Sequence, residues 1–146
     1  MNCYKYLFLI LPGLAACRPS PEPINYGMDK CVYCTMTVMD NRFGAEAVTD
    51  KGKVFKFDAM ECLVIFTDSH PESMDRIKFL LTNSFDKPGE FIDARNCYYL
   101  VSPNMPSPMG MNINAFADSV AVYKQQQMNT GKVLKFAELK KIIYAP

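Results

Sequence analysis

The first sixteen residues constrain this chain more than any other stretch. Lys5 supplies a single positive charge, residues 6–14 are apolar apart from a Pro12-Gly13 break, and Leu14-Ala15-Ala16-Cys17 follows. The run falls well short of the ~20 apolar residues that cross a bilayer, and it ends on small residues. That is the pattern of a secretory signal peptide and not of a membrane helix. With residues 1–16 removed, about 130 of the 146 residues are left to fold. They suffice for one modest domain or two very small ones, in a compartment where thiols are exposed to oxidation.

The order Leu-Ala-Ala-Cys resembles a bacterial lipobox, whose cysteine is acylated and becomes the first mature residue. Cys17 is therefore the expected lipidation site, and several acyl chains together hold firmly to a membrane. Arg18 after it carries no acidic inner-membrane retention signal, so the expected location is the cell envelope, facing the periplasm or exterior, with the outer membrane open. Residues 17–27 read as the lipidated N-terminus and a proline-rich tether, and residues 28–146 as the folded domain. Beyond the signal, fifteen basic face fifteen acidic side chains with no long run of either sign. That balance argues against a nucleic-acid partner and against an electrostatic hold on anionic lipid.

Short β segments alternate with helices. Residues 43–49 and 53–57 flank the Asp50-Lys51-Gly52 turn as a hairpin, and a helix is expected over 59–67, with Asp58 as N-cap and Glu61 as its capping-box partner. Residues 76–81 and 97–101 read as strands separated by a polar loop holding Pro88-Gly89. Residues 111–116 lead into a helix over 118–127, then a strand over 132–136 and a short helix over 137–143. Lys56-Phe57-Asp58 and Ala115-Phe116-Ala117-Asp118 each introduce a helix after two β segments. This echo predicts an α+β fold of two small ββαβ units, about 28–95 and 96–146, packed as one domain.

Sulfur carries the chemistry. Cys31-Val32-Tyr33-Cys34-Thr35-Met36 can turn two thiols and a thioether toward one ion. Met60 and Cys62 stand at the start of the first helix, whose positive end favours thiolate. Met105, Met109 and Met111 share a loop stiffened by Pro106 and Pro108. Thiolate and thioether together select Cu(I), whereas structural zinc prefers thiolate and imidazole. The Cys-x-x-Cys pair also suits a thiol-disulfide oxidoreductase, and an even set of cysteines suits a disulfide-stabilised or zinc-binding structural lipoprotein. Met60 and Cys62 fit core packing as well as ligation. Cys97 lies in an apolar strand and reads as inert, Met28 and Met39 do not read as ligands, and His70 reads as a solvated loop residue. A single histidine and no nucleophile beside a base argue against an enzyme.

In order along the chain, Cys31-Val32-Tyr33-Cys34-Thr35-Met36, Phe43-Gly44-Ala45, Lys56-Phe57-Asp58, Phe91-Ile92-Asp93-Ala94-Arg95, Pro108-Met109-Gly110 and Ala115-Phe116 resemble the landmarks of the NosL family. These are accessory lipoproteins of nitrous oxide reductase assembly. The resemblance implies two ββαβ units and a Cu(I) chaperone whose partners are nitrous oxide reductase and its maturation machinery. It implies ligation by Cys31, Cys34, Met36 and Met109, with Met105 a further candidate, and zinc beside copper stays open. One departure stands out: the family motif commonly has glycine where Thr35 stands, and threonine tolerates positive φ poorly.

Overall fold

Alternating β-formers and a glycine turn begin the fold. Ala45–Thr49 (β1) and Val54–Phe57 (β2) pair antiparallel around Gly52, which takes a φ of 80°. The computed structural model describes residues 18–74 and 76–145; Cys17 and the signal segment lie outside the described residues. After β2 come Met60–Ser69 (α1), the single turn Pro71–Met74 (α2), and Ile77–Ser84 (β3), which pairs antiparallel with β1. Lys87–Asp93 (β4) completes a sheet of order β2-β1-β3-β4.

The second half repeats the plan. Tyr98–Val101 (β5) and Ile113–Phe116 (β6) form a hairpin, Ser119–Asn129 (α3) follows, and Lys132–Leu134 (β7) returns antiparallel beside β5, in the order β6-β5-β7. Phe136–Ile143 (α4) closes the chain. Hairpin, helix and third strand thus recur with the same strand order, and the fold is two ββαβ units in one domain. Phe57, Leu63, Tyr99, Leu134 and Leu139, drawn from both units, meet in a single core cluster. Leu100, Met105, Phe116 and Val122 form a second. Each large side chain so buried contributes roughly 1.5–3 kcal/mol of transfer free energy. Among the described residues no helix is long and apolar enough to cross a membrane.

Three expectations change. The polar loop around Pro88-Gly89 is strand β4, and Pro88 is tolerated because β4 is an edge strand with one unpaired side. The N-cap of α1 is Ala59, not Asp58, and no side chain caps that helix. The tether does not stand clear of the domain at its far end. The Glu22 N–H donates to Glu46 Oε1 (3.1 Å), Lys56 Nζ donates to the Pro23 carbonyl (2.9 Å), and Ile24 is buried. Gly44 permits this close approach, since a Cβ there would lie 2.8 Å from Ile24 Cδ1.

Candidate metal centre

The cysteine motif forms the tip of a tight loop. Cys31 N–H donates to the Met36 carbonyl (2.8 Å) and Thr35 N–H to the Cys31 carbonyl (2.9 Å), with Lys30 and Thr37 bridged behind them. This turn needs a left-handed residue, and Thr35 supplies it at φ 63°. The turn that glycine would favour is therefore kept, at a cost of order 1 kcal/mol in backbone strain. Two links tie the loop to the first sheet. Val32 N–H donates to the Lys56 carbonyl (3.0 Å), and Lys56 Nζ pairs with Asp29 Oδ2 at 2.7 Å.

Against this loop α1 sets its first turn, bearing Cys62. The sulfurs of Cys31, Cys34 and Cys62 all lie within 4.8 Å of one another. Cys31 and Cys62 are buried, whereas Cys34 is partly exposed, so the pocket has a dry floor and one wet edge. The four described cysteines are free thiols.

Hydrogen bonding sorts the three protons. The Cys62 S–H and the N–H groups of Cys34, Asp58 and Tyr33 all point at Cys31 Sγ, and together they bring its pKa down to about 5 despite burial. As the donor to that sulfur, and being buried itself, Cys62 is pushed up, while burial pushes Cys34 up. Near neutrality the pocket therefore holds one thiolate and two thiols, and an incoming cation must displace the remaining protons. Asp58 and Glu61 border the pocket, and burial raises both carboxyls.

The other candidates fall into distinct places. Met109 and Met111 are partly buried against the core cluster that contains Cys31 and Cys62. Met36 sits at the rim, half exposed. Met60 is buried, its Sδ 4.0 Å from the hydroxyl of Tyr99, which donates to the Ala94 carbonyl at 2.6 Å. Met105 fills the second core cluster, and the structure does not bring it to the cysteines. Cys97 is buried and donates to the Ala94 carbonyl at 3.7 Å, with its thiol pushed up to about 11 by burial. His70 is exposed at the end of α1 and stacks on Phe66, with ring centroids 4.4 Å apart. Met28 and Met39 are exposed.

Two residues at the start of α1 take up roles other than the cap and capping box that the sequence predicts. Asp58, expected to cap α1, instead accepts the Met39 N–H and donates its own N–H to Cys31. Glu61, expected in the capping box, accepts from Ser107 Oγ (2.9 Å) in the methionine loop. The available signal was the pair of acidic residues, Asp58 and Glu61, at the start of a largely apolar helix.

Fold and pocket together define a class: small α+β proteins of paired ββαβ units with a sulfur-only site able to take a soft metal. The sequence pattern of the NosL family matches residues 25–143, and the chain belongs to that family. The crystal structure of the copper chaperone NosL from Shewanella denitrificans matches with a TM-score of 0.68 and 23% identity, over 82% of this chain and 94% of that one. At that identity the likeness speaks for the fold. No curated protein matches the chain.

Proposed function

We propose that this chain is a Cu(I) metallochaperone, and the observation that carries the proposal is the convergence of three cysteine sulfurs within 4.8 Å at the entrance to α1. No carboxylate or imidazole belongs to that group among the described residues. An all-sulfur donor set favours a soft monovalent cation, and few-coordinate sulfur can surrender its ion stepwise to a competing ligand. Cys31, Cys34 and Cys62 form the floor of the site, with Met109 and Met36 as thioether ligands from its rim. Met60, facing Tyr99, serves as packing beneath the floor.

Copper is cargo, so the proposed role involves no bond-making chemistry. Nitrous oxide reductase and its maturation machinery are the proposed recipient. Acylation at Cys17 would hold the chaperone at an envelope membrane, with residues 18–21 as the short tether. Membership of the NosL family and the likeness to a copper chaperone support this reading.

The experiment is a competition titration of the reduced protein against a chromophoric Cu(I) chelator, paired with metal analysis of protein recovered from an envelope fraction. One equivalent of Cu(I) retained against the chelator is expected. Stoichiometric zinc with no copper retention would overturn the proposal in favour of a zinc site, for which Asp58 would be the nearest oxygen donor.

A further inference from the structure

Met109 sits in a turn that is nearly rigid in itself. Pro108 fixes one φ, and the Gly110 N–H closes on the Ser107 carbonyl (3.0 Å) with Gly110 at φ 82°. What the turn lacks is an internal reason to lie against the core cluster that holds Cys31 and Cys62, because its only covalent supports are the two strands β5 and β6 behind it. Glu61 provides one. Its Oε1 accepts the Ser107 hydroxyl at 2.9 Å. Ser107 Oγ in turn accepts the Asn112 N–H at 2.9 Å. One side chain of α1 therefore holds the turn at its first residue, two positions before Met109, and that side chain is the chain neighbour of Cys62.

Stability alone explains Glu61 poorly. The residue is 2% exposed, and its Oε2 has no hydrogen-bond partner among the described residues. Burying a carboxyl with one oxygen unsatisfied is costly, and an apolar residue on the first turn of α1 would pack at less expense. The equivalent position in the second unit, counted from the N-cap, is Val120, which is exposed and grips nothing. A residue that breaks the local rule without strengthening the fold fits a site that needs its ligands held in place.

We propose that Glu61 is a positioning residue that clasps the Ser107–Gly110 turn to α1 and so fixes the Met109 thioether over the three-cysteine pocket. The proposal deepens the copper reading and rests on it for its purpose. The clasp itself is testable without copper.

Glu61→Gln, Glu61→Ala, Ser107→Ala and Met109→Ala variants of the full chain decide the matter. In the metal-free protein, oxidation of Met109 by dilute hydrogen peroxide is followed by peptide mass spectrometry, with the half-exposed Met36 as internal reference. Ser107→Ala and Glu61→Ala are expected to speed Met109 oxidation severalfold and leave Met36 unchanged, while Glu61→Gln, which keeps an acceptor oxygen, stays near wild type. In the Cu(I) competition titration Glu61→Ala and Ser107→Ala should each weaken binding about tenfold, as Met109→Ala does, while Glu61→Gln stays near wild type. Combining Ser107→Ala with Met109→Ala should cost nothing further. Unchanged Met109 oxidation in Ser107→Ala, or losses that add in full in the double variant, would overturn the clasp. A wild-type protein that retains no Cu(I) sinks the chaperone reading alone, and the oxidation arm still judges the clasp. Should Glu61→Ala fail to fold, Ser107→Ala, which removes only the loop side of the contact, carries the test.

Discussion

In the first ββαβ unit, Phe57 is followed by Asp58 and Ala59 before α1 begins; in the second, Phe116 is followed by Ala117 and Asp118 before α3. Both phenylalanines are fully buried, and both N-cap residues, Ala59 and Asp118, have extended backbones. The acid is displaced by one residue between them. In the second unit it lands on the cap and accepts the Ala121 N–H at 2.9 Å, as a helix-starting aspartate should. In the first it lands one position early, leaves α1 without a side-chain cap, and turns to the cysteine loop instead. Cys62 and Glu61 then occupy the first helical turn, both buried, where the second unit has the partly exposed Ala121 and the exposed Val120. One unit spends its polar residues on holding a helix; the other spends them on holding sulfur.

That contrast can be broken in graded steps. The largest effect is expected at the turn into β7, where Gly131 has φ 105° and a Cβ would lie 2.4 Å from the Val101 carbonyl oxygen. Gly131→Ala should destabilise by about 3 kcal/mol or more in chemical denaturation, through steric overlap and a disfavoured φ.

The first unit should instead show itself in the pH dependence of stability. Glu46, Asp58 and Glu61 are all buried there, whereas the second unit buries only neutral polar side chains among the described residues. Burial raises Glu46 to about 7 from an ordinary 4.5, so between those values the folded chain holds more protons than the unfolded one. Its contribution is thus fully present below pH 4.5 and is lost as pH rises through 7, a change of at most about 3 kcal/mol. Asp58 and Glu61 act in the same direction. Cys31, held down at about 5, acts in the opposite sense over the same range, so the readout is a difference. In urea denaturation between pH 5 and 8, Glu46→Gln should gain stability relative to wild type as pH rises.

Smaller effects sharpen the two helix starts. Asp118→Ala removes a working cap and should cost about 1 kcal/mol, with Cu(I) affinity unchanged. Thr35→Gly relieves a left-handed threonine and should stabilise by about 0.5–1 kcal/mol, since glycine's greater unfolded-state freedom offsets part of the gain. A loss of stability on that change would mean that the Thr35 side chain makes a contact worth more than its strain.

Much of this architecture was legible from hydrophobic periodicity and turn residues. The first hairpin, the α1 and α3 segments, and the repeated ββαβ order all follow from local patterns, because those elements are stabilised largely by neighbours in the chain. Strand β4 was not legible. Its residues are mostly exposed, and Pro88 argues against a strand unless the strand is known to lie at an edge, which is a property of the whole sheet. The Cys31-x-x-Cys34 pair could be read as a site because its spacing is local. The assignment of Cys62 to it, and of Met60 and Met105 to packing positions, depends on which face of a helix or loop meets partners from other elements. Asp58 and Glu61 show the same limit: a helix-capping pattern and a pair of loop-binding carboxylates are written with the same letters.

Cys62 and Cys97 are both buried free thiols, one at the entrance to α1 and the other at the start of β5, so serine at each position is a matched pair. Cu(I) affinity of the two variants, measured side by side by chelator competition on reduced protein, tests the three-sulfur centre most directly. Cys62→Ser is expected to weaken binding about 100-fold, equivalent to ~2.7 kcal/mol, while Cys97→Ser leaves it unchanged. Equal affinities in the two variants, or a loss only in Cys97→Ser, would contradict the assignment of copper to this pocket.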